Sequence, residues 1–181
     1  MFRKLSTDRI LGLTAMTVSL MTLIIFIYQT DLLRQQNHIS VLPYLAISST
    51  TNSANNTFEI NVINHGVGPA IIESAEIIFE GSVYNFEDYE DNMMDVLRAI
   101  DVRTDSLRNY STSVLNPGIA IPLNEQRQVF GIIQSPDDFR LVTSMMQDLL
   151  GRGLDYRIVY RSLLDDRWEI SGSIDGPIKL D

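Results

Sequence analysis

The chain has 181 residues, a net charge of −9 and no cysteine. Its length suits one ordinary domain plus a tail, and 45% apolar against 20% charged residues suits a packed protein rather than a disordered one. The acidic balance argues against nucleic acid, whose phosphates need a basic footprint. The missing cysteines remove disulfides, thiolate metal sites and thiol nucleophiles, and two histidines are too few for a multi-histidine centre.

The charge is unevenly spread. Arg3, Lys4 and Arg9 open the chain against Asp8 alone, so the acidic excess lies beyond. Residues 10–28, ILGLTAMTVSLMTLIIFIY, carry no charge. As a helix rising about 1.5 Å per residue they span roughly 28 Å, the depth of a hydrocarbon core. A cleaved signal peptide has a shorter apolar run and a small-x-small cleavage site, whereas this run ends in Tyr28-Gln29-Thr30-Asp31. The expectation is an uncleaved anchor over 10–28 behind a basic cytoplasmic tail over 1–9. Three basic residues precede it and only Arg34 follows closely, which puts the C-terminal bulk of the chain outside the inner membrane. Gly12, Ala15, Ser19 and Thr22 fall on one stripe where a second helix or second copy can approach. The bilayer is the first expected partner; a protein partner at this stripe is the second.

Residues 29–41 hold no Gly or Pro and predict a helical stalk. Pro43 ends it, because the residue before a proline is biased to extended structure. From there to 181 the pattern is mainly β. Residues 44–48 predict a short strand, and the Ser, Thr and Asn run over 49–56 a loop. Phe58, Ile60 and Val62 alternate with polar neighbours, as in a half-buried strand. Over 70–80, Ile71, Ala75, Ile77 and Phe79 fall on one expected face.

A helix is predicted next. Phe86, Tyr89, Met93, Leu97 and Ile100 recur at spacings of three and four, with Glu87, Asp88, Glu90 and Asp91 early and Arg98 and Arg103 late, as the helix dipole favours. Short strands over 111–114, 119–121 and 128–134 follow. Ser135-Pro136-Asp137-Asp138 then reads as a helix start, with Phe139, Val142, Met146 and Leu149 as its buried stripe and Gly151 as its end. Tyr156, Ile158 and Tyr160, a turn at Leu164-Asp165-Asp166, and Trp168 with Ile170 predict a closing hairpin. The sum is a β-sandwich with two helical insertions.

Asn64-His65-Gly66-Val67-Gly68-Pro69-Ala70 stands out locally. The glycines imply positive φ in a turn, and Pro69 a set φ where the next strand begins. A dinucleotide fingerprint needs a further small residue where Ile71 stands and a helix where a strand is predicted, so a structural turn is the reading. With this turn, Gln35-Gln36, Pro43-Tyr44-Leu45 and Asn116-Pro117-Gly118, the chain resembles bacterial single-pass membrane-anchored proteins of unassigned function, whose immunoglobulin-like sandwich carries an N-x-G-x-G-P-A turn. The resemblance implies that fold outside the membrane, and brings no catalytic residues.

Other candidates are weaker. Asp88 and Asp91, in the acidic run that ends at Asp95, offer oxygen ligands of the kind Ca²⁺ prefers, but without the glycine of an EF-hand; the run also reads as a solvated helix face. His65 is the histidine that a Ser–His–Asp hydrolase would have to use, and the bland reading is a polar turn residue. Arg157, Arg161 and Arg167 read as ion-pairing within the domain, with an acidic partner as the alternative. The expectation is a non-enzymatic interaction or sensing module without cofactor, an accessory subunit of a membrane assembly. A surface-tethered ligand- or Ca²⁺-binding domain is the alternative, with a hydrolase behind it.

Overall fold

The structure, a computed structural model, describes residues 7–39 and 41–180, with the side chains of residues 38 and 39 excepted. Most of the basic tail (residues 1–6) and residue 40 of the stalk therefore lie outside the described residues. The chain divides into two compact units between Ser40 and Val41.

The first unit is one helix, α1 (Thr7–Ile39). The anchor and stalk segments are thus continuous in secondary structure. Within the span Thr7–Asn37 an 18-residue window reaches a mean hydropathy of 2.4, and none of that window is buried. Four of its threonines keep their hydroxyls on the helix itself: Thr14 donates to the carbonyls of Ile10 and Leu11, Thr17 and Thr22 donate to the carbonyls of Leu13 and Val18 at 2.8 Å, and Thr30 does the same to Phe26. What they turn outward is the apolar part.

The second unit holds two antiparallel sheets. Strands β1 (Leu45–Asn52), β2 (Thr57–Asn64), β5 (Tyr110–Thr112) and β7 (Gln126–Ile132) form one sheet, in the order β1-β2-β7-β5. Strands β3 (Ala70–Phe79), β4 (Ser82–Asn85), β8 (Asp155–Arg161), β9 (Arg167–Ser171) and β10 (Ile178–Leu180) form the other, in the order β10-β9-β8-β3-β4, with β6 (Ala120–Ile121) also paired to β3. Helix α2 (Asn92–Ile100) lies in the connection from β4 to β5, and α3 (Pro136–Gly151) joins β7 to β8, so both helices lie in passages between sheets. One hydrophobic cluster takes Val62, Phe130 and Ile132 from the first sheet, Ile72, Ile77 and Tyr160 from the second, and Met94, Leu97, Met145 and Leu149 from the helices. Each such large side chain contributes roughly 1.5–3 kcal/mol by leaving water.

Several elements differ from the sequence expectation, each for a local reason. The polar run over 49–52 belongs to β1, because an edge strand tolerates Ser and Thr, and the hairpin turns only at 53–56 with Asn56 at φ 51°. In β3, Ile72 and not Ile71 shares the buried face with Ala75, Ile77 and Phe79. A register shift between Ile72 and Ser74 supplies the extra residue that the three-residue spacing requires.

The single helix expected from Phe86 is broken. A short 3-10 turn over Phe86–Asp88 precedes α2, and Asn92, the first residue of α2, sits at φ 26°. Asn92 Nδ2 donates to the carbonyls of Phe86 and Tyr89 and to Asn116 Oδ1, while its Oδ1 accepts from the Leu115 amide. This fully buried amide occupies two of the carbonyls that a continuous helix would use.

Helix α3 begins as read. Asp138 N donates to Ser135 Oγ and Pro136 opens the first turn. It ends at Gly151, as read, and the left-handed glycine of its cap is Gly153. Gly153, at φ 90°, donates to Leu150 O, and Leu154 N donates to Leu149 O, the paired bonds of a Schellman cap.

Candidate functional site

Three consecutive cross-strand pairs of the first sheet, Ile47–Val62, Ser49–Ile60 and Thr51–Phe58, share one face by the two-residue period of a strand. Two pairs of the second sheet, Ala75–Ile158 and Ile77–Tyr156, do the same. Between them lies a cleft of about 300 Å³. Helix α3 adds a third wall. Its Thr143, Met146, Gln147 and Leu150 stand at helical spacing on one stripe, and Met93 and Leu115 close the inner end. Ser49, Thr51, Gln147 and Leu150 are exposed and mark the rim.

The lining is mostly apolar. No Lys, Arg or His is among the described residues that line it. Glu76 and Asp155 touch it, but strand alternation turns their side chains to the other face of the sheet. There Glu76 pairs with its cross-strand neighbour Arg157, and Asp155 Oδ1 accepts from the amides of Tyr156 and Gly172. Burial, and then the Asp155 charge, push the Tyr156 phenol up from its ordinary value. Thr143 Oγ1 donates to Phe139 O, whereas Ser49, Thr51 and Gln147 keep their polar side-chain atoms unpaired. Left empty in a closed core, a void of this size would cost about 7 kcal/mol at ~24 cal/mol per Å³. Open at its rim, the same volume is space that an apolar group can fill.

The turn motif is a clasp on the segment by which the chain enters this unit. Asn64 is fully buried. Its Oδ1 accepts from the amides of Tyr44 and Gly66 at 3.1 and 2.9 Å, and its Nδ2 donates to the carbonyls of Gly68 and Ile121 at 2.8 and 2.9 Å. The amides of Val67 and Gly68 donate to Leu42 O, and the His65 amide to Tyr44 O. Neither Gly66 nor Gly68 has the positive φ expected of it. They are glycines because a side chain would overlap backbone: that of Leu42, Pro43 and Tyr44 at Gly66, and that of Val41 at Gly68. Pro69 leads directly into β3. His65 stands exposed in the turn.

The other candidates are not gathered into one site. Asp88 accepts from Asn85 Nδ2 and Asp91 from Thr112 Oγ1, while Asp95 pairs with Arg98. No group of three or more acidic, His or Cys side chains placed to hold a metal is found among the described residues. The hairpin arginines pair within the domain: Arg157 with Glu76, Arg161 with Asp165 and Glu73, and Arg167 with Glu73 at 2.7 Å. Glu73 and Glu76 come from β3, distant in sequence, and only the Arg161–Asp165 pair was legible along the chain. Gly12, Ala15, Ser19 and Thr22 are all exposed on α1.

The cleft residues drew no attention as a set in the sequence. They come from strands and a helix up to about a hundred residues apart, and each alone reads as core or as edge polarity. No family model matches the chain, and no curated protein matches it.

Proposed function

We propose that this is a single-pass inner-membrane protein with its N-terminus in the cytoplasm, whose outer domain is an immunoglobulin-like sandwich serving as a non-enzymatic interaction or sensing module, an accessory subunit of a membrane assembly. The observation that carries the reading is α1. An apolar helix with no buried face needs lipid or another helix around it, because water is an unfavourable neighbour on every side. Thr14, Thr17 and Thr22, within the apolar run, satisfy their hydroxyl donors on the helix's own carbonyls, as a hydrocarbon setting favours. The basic residues ahead of the span support the orientation. Two antiparallel sheets on one core, linked by sheet-to-sheet passages, support the sandwich. The clasp on residues 42–44 supports a module that is held firmly where its tether enters.

The absence of cysteine makes the test direct. Single cysteines at Ser6 and at Ser53, the latter in the β1–β2 hairpin, are exposed to a membrane-impermeant maleimide on intact spheroplasts. Ser53→Cys is expected to label at once, and Ser6→Cys only after lysis. The opposite pattern, or recovery of the chain in the soluble fraction, overturns the reading.

A further inference from the structure

We propose that the cleft between the sheets binds the alkyl chain of a neutral amphiphile, of the class of a monoacylglycerol or fatty alcohol, and discriminates against the ionised fatty acid. The proposal rests on the reading of the outer domain as a sensing module tethered beside a bilayer, and names what that module senses.

Shape comes first. The floor follows β2 from Phe58 to Val62, a run of roughly 14 Å at about 3.4 Å per residue. The walls include Ile47, Ile77, Ile158 and Met146, and none of these ends in a charge. The volume of about 300 Å³ lies at the lower end of ordinary ligand pockets. It is about twice that of the dry, apolar cavities of ~150 Å³ that take up benzene. An apolar space of this volume along a run of about 14 Å suits a single alkyl chain better than a fused ring.

The rim decides the headgroup. Ser49, Thr51 and Gln147 present hydroxyl and amide groups, each able to donate and accept, with no other partner among the described residues. They match a hydroxyl or ester. A carboxylate arriving at the same place would leave water without meeting a cation, because no Lys, Arg or His is among the described lining residues. The charges nearest in sequence make matters worse: the carboxylates of Glu76 and Asp155 stand behind the wall, and Arg157 is already engaged by Glu76. The supply of such a ligand follows from the tether, since α1 is long and apolar enough to cross a bilayer and the outer unit begins two residues after its last residue.

The test uses the full chain in phosphatidylcholine nanodiscs. Two photoreactive probes of equal chain length are compared at pH 7.4, a monoacylglycerol and the corresponding fatty acid, each carrying a diazirine on the chain. The expected result is saturable labelling of the peptides holding residues 47–51 and 143–150, competed by unlabelled fatty alcohol, with the neutral probe effective at a concentration at least tenfold lower. Two variants sharpen it. Ala75→Phe, from β3 opposite the floor, fills the cleft and abolishes cleft labelling. Leu150→Lys, at a position 60% exposed and therefore tolerant, adds the missing cation and brings the fatty acid to parity. Labelling confined to α1, equal labelling by both probes in the unaltered chain, or a co-purifying polypeptide that cross-links to the cleft in place of the probe would each overturn the proposal. Failure of the membrane reading appears separately, in the cysteine labelling, which neither variant touches.

Discussion

Replacing Asn64 tests the clasp that holds the entry segment. Asn64→Ala removes four hydrogen bonds at once, to Tyr44 N, Gly66 N, Gly68 O and Ile121 O, at a site with no exposure. At a net value of about 1 kcal/mol per bond the loss is about 4 kcal/mol. Against the ~5–15 kcal/mol that holds a typical domain, that is a large share. Asn64→Asp has the same shape and keeps both acceptor bonds. Its second oxygen, however, replaces a donor that lies 2.8 and 2.9 Å from two carbonyl oxygens. The near-isosteric change is therefore expected to cost at least as much as Ala at pH 7.

The two variants separate further with pH. Burial and the facing carbonyls hold the introduced carboxyl's folded pKa above its unfolded value of about 3.9, so the folded state binds the proton more tightly. The Asn64→Asp variant then gains stability relative to Asn64→Ala as pH falls from 7 toward 5. Urea unfolding of the full chain in micelles reads this through Trp168, the sole tryptophan, which is 8% exposed and stacked on Tyr160. In the thermal scan a loss of ~4 kcal/mol corresponds to roughly 10–15 °C in Tm. An Asn64→Asp variant that unfolds at the wild-type urea midpoint would refute the assigned amide orientation and the clasp with it.

Other outcomes follow from the same geometry. Gly68→Ala forces Val41 backbone aside and is expected to lower the urea midpoint by the equivalent of at least 2 kcal/mol, whereas Gly151→Ala, whose added methyl meets nothing, leaves it within about 0.5 kcal/mol. Asp138 is 5% exposed; burial works to raise its pKa, but hydrogen bonds from Ser135 Oγ, the Asn109 side chain and the amides of Asn109 and Arg108 outweigh it, and the net shift is downward. Its contribution is present above about pH 4 and lost as pH falls below, so the gap in unfolding free energy between wild type and Asp138→Asn should be widest near neutrality and narrow below pH 4; a gap independent of pH would contradict this. Ala15→Leu with Ser19→Leu is expected to reduce cross-linked species of the full chain in membranes, and an unchanged, strictly monomeric pattern in both proteins would count against assembly through the small-residue stripe.

What could be read along the chain was what neighbouring residues decide among themselves. The α1 composition, the alternation of β2 and β8, and the Ser135-Pro136 helix start are all interactions over a few residues. Local preference gives way where a distant group overrides it. Asn92 reads as one more polar residue on a helical face until its side chain is seen occupying the carbonyls of Phe86 and Tyr89. The β3 face slips at the register shift beside Glu73, whose side chain pairs with Arg167 from β9. Strand β10 went unread because three residues on a sheet edge bury too little to leave a pattern. The cleft escaped for a related reason. Its polar rim looked like a loop, and its α3 wall is the stripe beside the buried one.

The sequence by itself determined the two-part character of the protein. An uncharged nineteen-residue run ahead of an acidic, alternating segment has few physical solutions, because apolar length and hydrophobic period are local quantities. It also marked the 64–70 turn as special. Only the tertiary structure decided why. The glycines serve the passage of backbone more than twenty residues away, and the asparagine serves four groups on three segments. The same holds for the cleft and for the partners of Arg157 and Arg167. Close approach, enclosed volume and charge pairing are properties of pairs of segments, and no residue carries them until the two sheets have met.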